Sequence, residues 1–172
     1  MNYTGILEND YANGSDVGVA LFVAGCDLYC NNGECHGKDY YSFTCGQSFT
    51  EEVENKIINM FMEEPHYGRL TITGGNPTSQ DNPVALLGFV QRFKTLFPNV
   101  KIWLYSGHTY EEIEYMDCAY ELMKNCDILV DGRWQPKLHS LEIKFRGSSN
   151  QRIIDIKKTI EKNEIVILEE YM

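Results

Sequence analysis

VGVALFVAGCDLYC, residues 17–30, sets a candidate strand directly against a candidate reactive loop. Its first part, Val17 to Ala24, is apolar, rich in valine and stopped by Gly25, and it is too short for an ordinary globular helix. Such a run predicts a strand buried on both faces, as a parallel sheet provides. Arg69 to Thr73 (RLTIT), Lys101 to Tyr105 (KIWLY) and Asp127 to Val130 (DILV) repeat the pattern. Glu164 to Leu168 (EIVIL) reads as a last strand, and Arg152 to Lys162 carries no pattern that decides its type.

Helical patterns fill the gaps between these runs. Thr50 stands at an N-cap position before Glu51 and Glu52, with Val53, Ile57, Ile58 and Phe61 on one side. Pro83 suits a first helical turn, and Leu86, Val90, Phe93 and Phe97 form a stripe that Pro98 ends. Thr109 and Glu112 have capping-box spacing ahead of Ile113 and Met116. Strand–helix alternation implies parallel strands joined by right-handed crossovers, hence an α/β fold. Each strand runs into a polar or glycine-rich loop: Gly25-Cys26, Gly74-Gly75-Asn76, Ser106-Gly107-His108 and Asp131-Gly132. Ligands of parallel α/β folds bind at the carboxyl ends of strands, so these loops are expected to share one rim.

The 172 residues are the size of a single domain, 1–172, and 43% hydrophobic with 23% charged residues is ordinary for a globular chain. A net charge of −10 disfavours phosphate backbones and anionic membrane faces, so neither nucleic acid nor a membrane is expected as partner. Neither a basic, apolar leader nor a run of about 18 apolar residues is visible, which predicts a cytoplasmic protein. In a reducing compartment the six cysteines read as thiols, ligands or catalysts rather than disulfides.

Cys26, Cys30 and Cys35 are spaced C-x3-C-x4-C in a loop that holds Asn31, Asn32 and Gly33. Three thiolates from one loop can ligate three corners of a cubane iron–sulfur cluster, leaving one iron open to a chelating small molecule. The same spacing also allows zinc, with Cys45 completing a closed four-cysteine site. Cys118 and Cys126 suit a packing role.

With this cluster in place the chain resembles the radical S-adenosylmethionine enzymes. Within them it is similar to the family that activates anaerobic (class III) ribonucleotide reductase. The likeness runs from Asn13-Gly14 through LFVAGCDLYC (21–30), CHGKDYYSF (35–43), GGNP (74–77) and WLYSGHTYEEI (103–113) to DILVDG (127–132) and FRGSSNQRIID (145–155). The family triad is C-x3-C-x2-C, so two extra residues stand between Cys30 and Cys35. Glu34 precedes the third cysteine, and Asn76 replaces the usual acid after the glycines.

The resemblance implies a partial, open (β/α) barrel-like parallel sheet and a 4Fe-4S cluster on Cys26, Cys30 and Cys35. It also implies S-adenosylmethionine bound near Glu34, Cys35, His36, Gly74, Gly75 and Asn76, with no catalytic residue beyond cluster and cofactor. The implied reaction is reductive cleavage of S-adenosylmethionine to methionine and a 5′-deoxyadenosyl radical. That radical takes a hydrogen from a glycine of the large reductase subunit, and a low-potential donor supplies the electron. The protein's part is to orient the cofactor and exclude side reactions. Asn76 is expected to accept a hydrogen bond from the ligand's amine, and Arg146 to Gln151 to shape the rim or dock the reductase. Rival readings are a pyruvate formate-lyase activator, a 7-carboxy-7-deazaguanine synthase, a zinc-binding module or a simple electron carrier.

Overall fold

A computed structural model describes residues 1–30, 34, 35 and 37–171. The chain builds one seven-stranded sheet in the order β3-β1-β2-β4-β5-β6-β7. The strands are β1 (Asn2–Asp10), β2 (Gly18–Val23), β3 (Gln47–Ser48), β4 (Arg69–Gly74), β5 (Lys101–Tyr105), β6 (Ile128–Asp131) and β7 (Arg152–Asp155). The centre, β2-β4-β5-β6, is parallel, while β1, β3 and β7 add antiparallel strands at the two sides. The four apolar runs read from sequence are therefore the parallel centre, and the fold is mixed α/β.

Five helices accompany the sheet among the described residues: α1 (Glu51–Glu63), α2 (Asn82–Leu96), α3 (Tyr110–Ile113), α4 (Asp117–Lys124) and α5 (Ile156–Lys162). Thr109 Oγ1 accepts the Glu112 amide and Glu112 Oε2 accepts the Thr109 amide, so the capping box starts α3 as its spacing predicts. Thr50 does stand at the N-cap of α1, yet its side chain makes no cap bond.

The period-2 alternation of strands sorts residues onto two faces. Leu70 and Ile72 of β4, Ile102 and Leu104 of β5 and Leu129 of β6 face the helices. There they join Ile57, Phe61, Leu86, Phe89, Phe93 and Leu122 in the main core. The other face carries Trp103, Ile128, Val130 and Ile153, with Tyr105, Phe145 and Tyr171 packed on them.

The same alternation makes Arg69 and Thr71 neighbours of Trp103 rather than of the helices. Arg69 is fully buried, so its charge has to be met inside the protein. Asp10 supplies the counter-charge at 2.8 Å. The carbonyls of Asp10, Asn13, Ser15 and Asp16 accept further guanidinium bonds. This network clamps the 11–17 connection across the second face. Gly14 crosses so closely that a Cβ there would lie 2.6 Å from Arg69 Cδ and 2.8 Å from the Trp103 ring.

Two sequence expectations are corrected. Glu164 to Leu168 is no strand: it contributes a single bridge, Ile167 to Ile154. The seventh strand is instead Arg152–Asp155, in the segment without a readable pattern, and α5 follows it under the Asp155 cap. Cys118 lies on α4 but is exposed, so it has no packing role, whereas Cys126 is buried as expected. No described helix is long and apolar enough to cross a membrane.

Candidate functional site

The loops leaving β2, β4, β5 and β6 meet, as their chemistry predicted, around one cavity of about 280 Å³. Its lining includes Cys26, Leu28, Cys30 and Cys35 after β2, Gly74, Gly75 and Asn76 after β4, and Ser106 and Gly107 after β5. Gly132 and Trp134 follow β6, Gly147 and Gln151 come from the late segment, and Asn13, Thr73 and Tyr105 line it from the second face. The glycines are required by contact. A Cβ on Gly75 would sit 2.5 Å from the Gly25 carbonyl, and one on Gly74, whose φ is +101°, 2.6 Å from that of Val23.

The three cysteines share this wall, and the Gly37 amide lies 3.5 Å from Cys35 Sγ. As bare thiols they oppose one another's ionisation. Burial pushes the Cys26 thiol up, and the charges of Asp27 and Cys35 add to that. A bond to the Cys35 side chain, then burial, then the two neighbouring thiols drive Cys30 higher still. Tyr41 rises to about 12 through burial and then the thiols' field. No described lining residue carries a charge.

Three clustered thiols with no Lys or Arg among the described lining residues suit a cationic group that accepts thiolate ligands. A cubane iron–sulfur cluster fits that requirement, since its irons neutralise thiolates and amide hydrogen bonds to sulfur tune it. A closed zinc site is not formed among the described residues. No three His, Cys, Asp or Glu side chains there gather tightly enough for one ion, and Cys45 is not among the lining residues. A cubane spreads its thiolates over separate irons and does not need them at one point.

Asn76 lines the cavity, but its side chain is committed elsewhere. Its Oδ1 accepts the Thr78 amide at 3.3 Å and the Thr78 hydroxyl at 2.9 Å. Its Nδ2 donates to Ser79 Oγ at 2.8 Å and faces His108 Nδ1 at 3.2 Å. Asn76 is buried, and in this structure its carbonyl oxygen is engaged by Thr78 where the sequence expected a ligand's amine. Thr78 Oγ1 also meets Ser106 at 2.6 Å and His108 Nδ1 at 2.9 Å, so Ser106 and His108 support the loop. Burial lowers the His108 pKa, which suits a neutral ring in this role. Glu34 is exposed and not a lining residue, and His36 lies outside the described residues.

Sequence reasoning missed Trp134, while Gln151 belongs to the 146–151 segment expected to shape the rim; both line the cavity. That RGSSNQ run packs against the loop after β6, which is what brings Trp134 to the rim.

A parallel sheet whose strand ends collect three thiols, two buried and one half-buried, defines an iron–sulfur class. In agreement, the model of the family described as 4Fe-4S single cluster domain matches residues 12–154. Curated relatives narrow the class. The chain is 35% identical over 154 residues to the anaerobic ribonucleoside-triphosphate reductase-activating protein of Vibrio cholerae, covering 89% of this chain and 97% of that protein. It is 32% identical over 155 residues to the Pasteurella multocida protein of that name, with 89% and 96% covered. The bacteriophage T4 protein of the same name is 31% identical over 153 residues, with 89% and 93% covered. The chain belongs to the family of anaerobic ribonucleoside-triphosphate reductase-activating proteins.

Proposed function

We propose that this chain, as one domain, activates the large subunit of an anaerobic ribonucleotide reductase by installing a glycyl radical. In this reading Cys26, Cys30 and Cys35 hold a 4Fe-4S cluster and S-adenosylmethionine occupies the rest of the cavity. The observation that carries it is the meeting of three thiols with the Gly74-Gly75 backbone around one cavity. The printed names of the relatives supply the target.

When bound, the cluster supplies the electron for reductive cleavage of S-adenosylmethionine and, through its open iron, a place for the cofactor's amine and carboxylate. The protein's own residues do the rest. The Gly37 amide stabilises the Cys35 sulfur. The Gly74 to Asn76 backbone gives the methionyl part a close surface that no side chain obstructs, held from behind by Thr78, Ser106 and His108. Asn13, Thr73 and Tyr105 extend the cavity towards the second face of the sheet. We read that face as the interior of a partial, open barrel of the radical S-adenosylmethionine type. His36 adjoins the third ligand in sequence and is a candidate cofactor contact, as is Glu34 if the partner closes the rim over it. The electron comes from a separate low-potential donor.

Anaerobic reconstitution with iron and sulfide, followed by reduction with S-adenosylmethionine, tests this reading. Wild type is expected to form 5′-deoxyadenosine, Cys30→Ala to form none, and addition of the reductase to give a glycyl radical signal. Equal 5′-deoxyadenosine from both proteins overturns the ligand assignment.

A further inference from the structure

Between β6 and β7 the chain makes an excursion from the cavity wall. It leaves at Trp134 and returns at Gly147, both of which line the cavity. The strap of residues 147–151 closes its stem. The Trp134 indole donates to the Gly147 carbonyl at 3.1 Å, and Ser148 Oγ accepts the Gln135 amide at 3.1 Å. The Ser149 amide adds a bond to the Leu138 carbonyl at 2.8 Å. A second groove, of about 320 Å³, is lined by Arg133, Trp134, Gln135, Pro136 and Lys137. Groove and cavity therefore share Trp134 as a common wall.

This excursion departs from the rest of the chain in charge. Residues 133–146 hold four of the fifteen Lys and Arg but one of the 25 Asp and Glu, in a protein of net charge −10. Arg133 has a partner in Glu112 at 3.0 Å. Lys137, Lys144 and Arg146 take part in none of the ion pairs among the described residues. Both lysines are exposed. Arg146 donates to the carbonyls of Gln151 and Tyr171, which leave its charge unbalanced. Leu138 and Leu141 stand among these charges, 39% and 93% exposed, and give a partner apolar area to bury. The cysteine loop, residues 26–35, holds instead Asp27 and Glu34, both exposed, and no Lys or Arg. Two loops that frame one cavity thus carry opposite charge.

We infer that the 133–146 excursion is a docking surface for an acidic segment of the large reductase subunit, held through Lys137 and Lys144. The inference rests on the proposed function, that this chain activates such a reductase. A radical made in the cavity has to reach a glycine of a macromolecule, so that molecule must cover the cavity's edge. A segment laid in the groove beside Trp134 is already at that edge. The acidic body of the protein repels an acidic partner, and the excursion is the place where the sign reverses. Asp27 and Glu34 repel the same segment from the cysteine side, which fixes the direction of approach.

The test uses the full reconstituted chain and the large subunit of the anaerobic reductase from the same organism. Dithionite serves as reductant, so that no donor protein enters the assay. Lys137→Glu combined with Lys144→Glu is expected to form 5′-deoxyadenosine without reductase as wild type does. Its affinity for the reductase is expected to fall about tenfold or more at low salt, with the gap closing as salt rises. The glycyl radical yield at limiting activator should fall with it. Lys137→Arg with Lys144→Arg keeps the charge and should bind as wild type does. A carbodiimide, which joins amines to carboxylates, should couple Lys137 or Lys144 of wild type to the reductase and fail with the arginine pair. Lys56→Glu with Lys162→Glu makes the same charge change at exposed positions on α1 and α5 and should cost about twofold at most. Wild-type affinity in the Lys137/Lys144 glutamate pair, or an equal loss in the Lys56/Lys162 pair, overturns the inference. So does loss of self-association in place of reductase binding, which would make the occupant a second copy of this chain. If wild type itself binds no reductase or gives no glycyl radical, it is the proposed function that fails.

Discussion

Replacing Asp10 by alanine removes the only carboxylate on a fully buried guanidinium, and the cost follows from the contacts. The pair is 2.8 Å apart with side-chain exposures of 0% for Arg69 and 1% for Asp10. At an effective dielectric near 20 the gross attraction is about 6 kcal/mol. Stripping one member from such a buried pair costs about 3–5 kcal/mol, because the other charge stays behind. Arg69 keeps the carbonyls of Asp10, Asn13, Ser15 and Asp16. That places the expected loss at the lower end, about 3 kcal/mol, or about 6–12 °C in melting temperature for a chain of this size. Urea and thermal unfolding of the cluster-free protein measure it directly. Asp10→Asn, which retains an acceptor without the charge, should lose less, and Asp10→Leu with Arg69→Met should recover part of the loss. A loss below about 1 kcal/mol in Asp10→Ala would show that the carbonyl cage alone satisfies Arg69, and the charge argument would fall.

Other outcomes follow from single contacts. Gly75→Ala presses a methyl against the Gly25 carbonyl at 2.5 Å; iron content should hold while S-adenosylmethionine binding weakens about tenfold or more, read by equilibrium binding. Phe93→Ala empties a site packed by Phe61, Phe89 and Phe97 and should cost about 3–5 kcal/mol in urea unfolding. Hydrogen bonding to Arg152 holds the Glu111 carboxyl down from 4.5 to about 2. The folded state therefore binds fewer protons, so this stabilisation is complete above pH 4.5 and fades as pH falls towards 2. Glu111→Gln should flatten the unfolding midpoint across that window, modestly, since the side chain is 53% exposed and water screens the pair.

The parallel centre was legible because β2, β4, β5 and β6 are nearly continuous apolar runs, the mark of burial on both faces. β1 was not. NYTGILEND is mostly half-exposed and its pairing slips between Tyr3 and Gly5 and again between Leu7 and Asp10, which erases a clean alternation. Glu164 to Leu168 misled for the converse reason: its apolar residues are half-buried against β7 without adding a strand. At the site, the cysteines and glycines declare themselves by type and spacing. Gln151 and Trp134 do not, because side-chain-to-backbone bonds have no sequence period. Asn76 was readable as a loop residue but its side-chain partners were not, since Ser106 and His108 arrive from another strand end.

The cavity draws its walls from both ends of the polypeptide. A ribosome releases the cysteine loop about 100 residues before the strap, roughly 5–20 s at ordinary elongation speeds. During that interval the thiols exist without Trp134, Gly147 and Gln151 around them. Metal delivered to the nascent chain would meet an open, easily oxidised sulfur loop. A delivery system that waits for the finished protein meets a shielded one, so the architecture itself favours loading after synthesis.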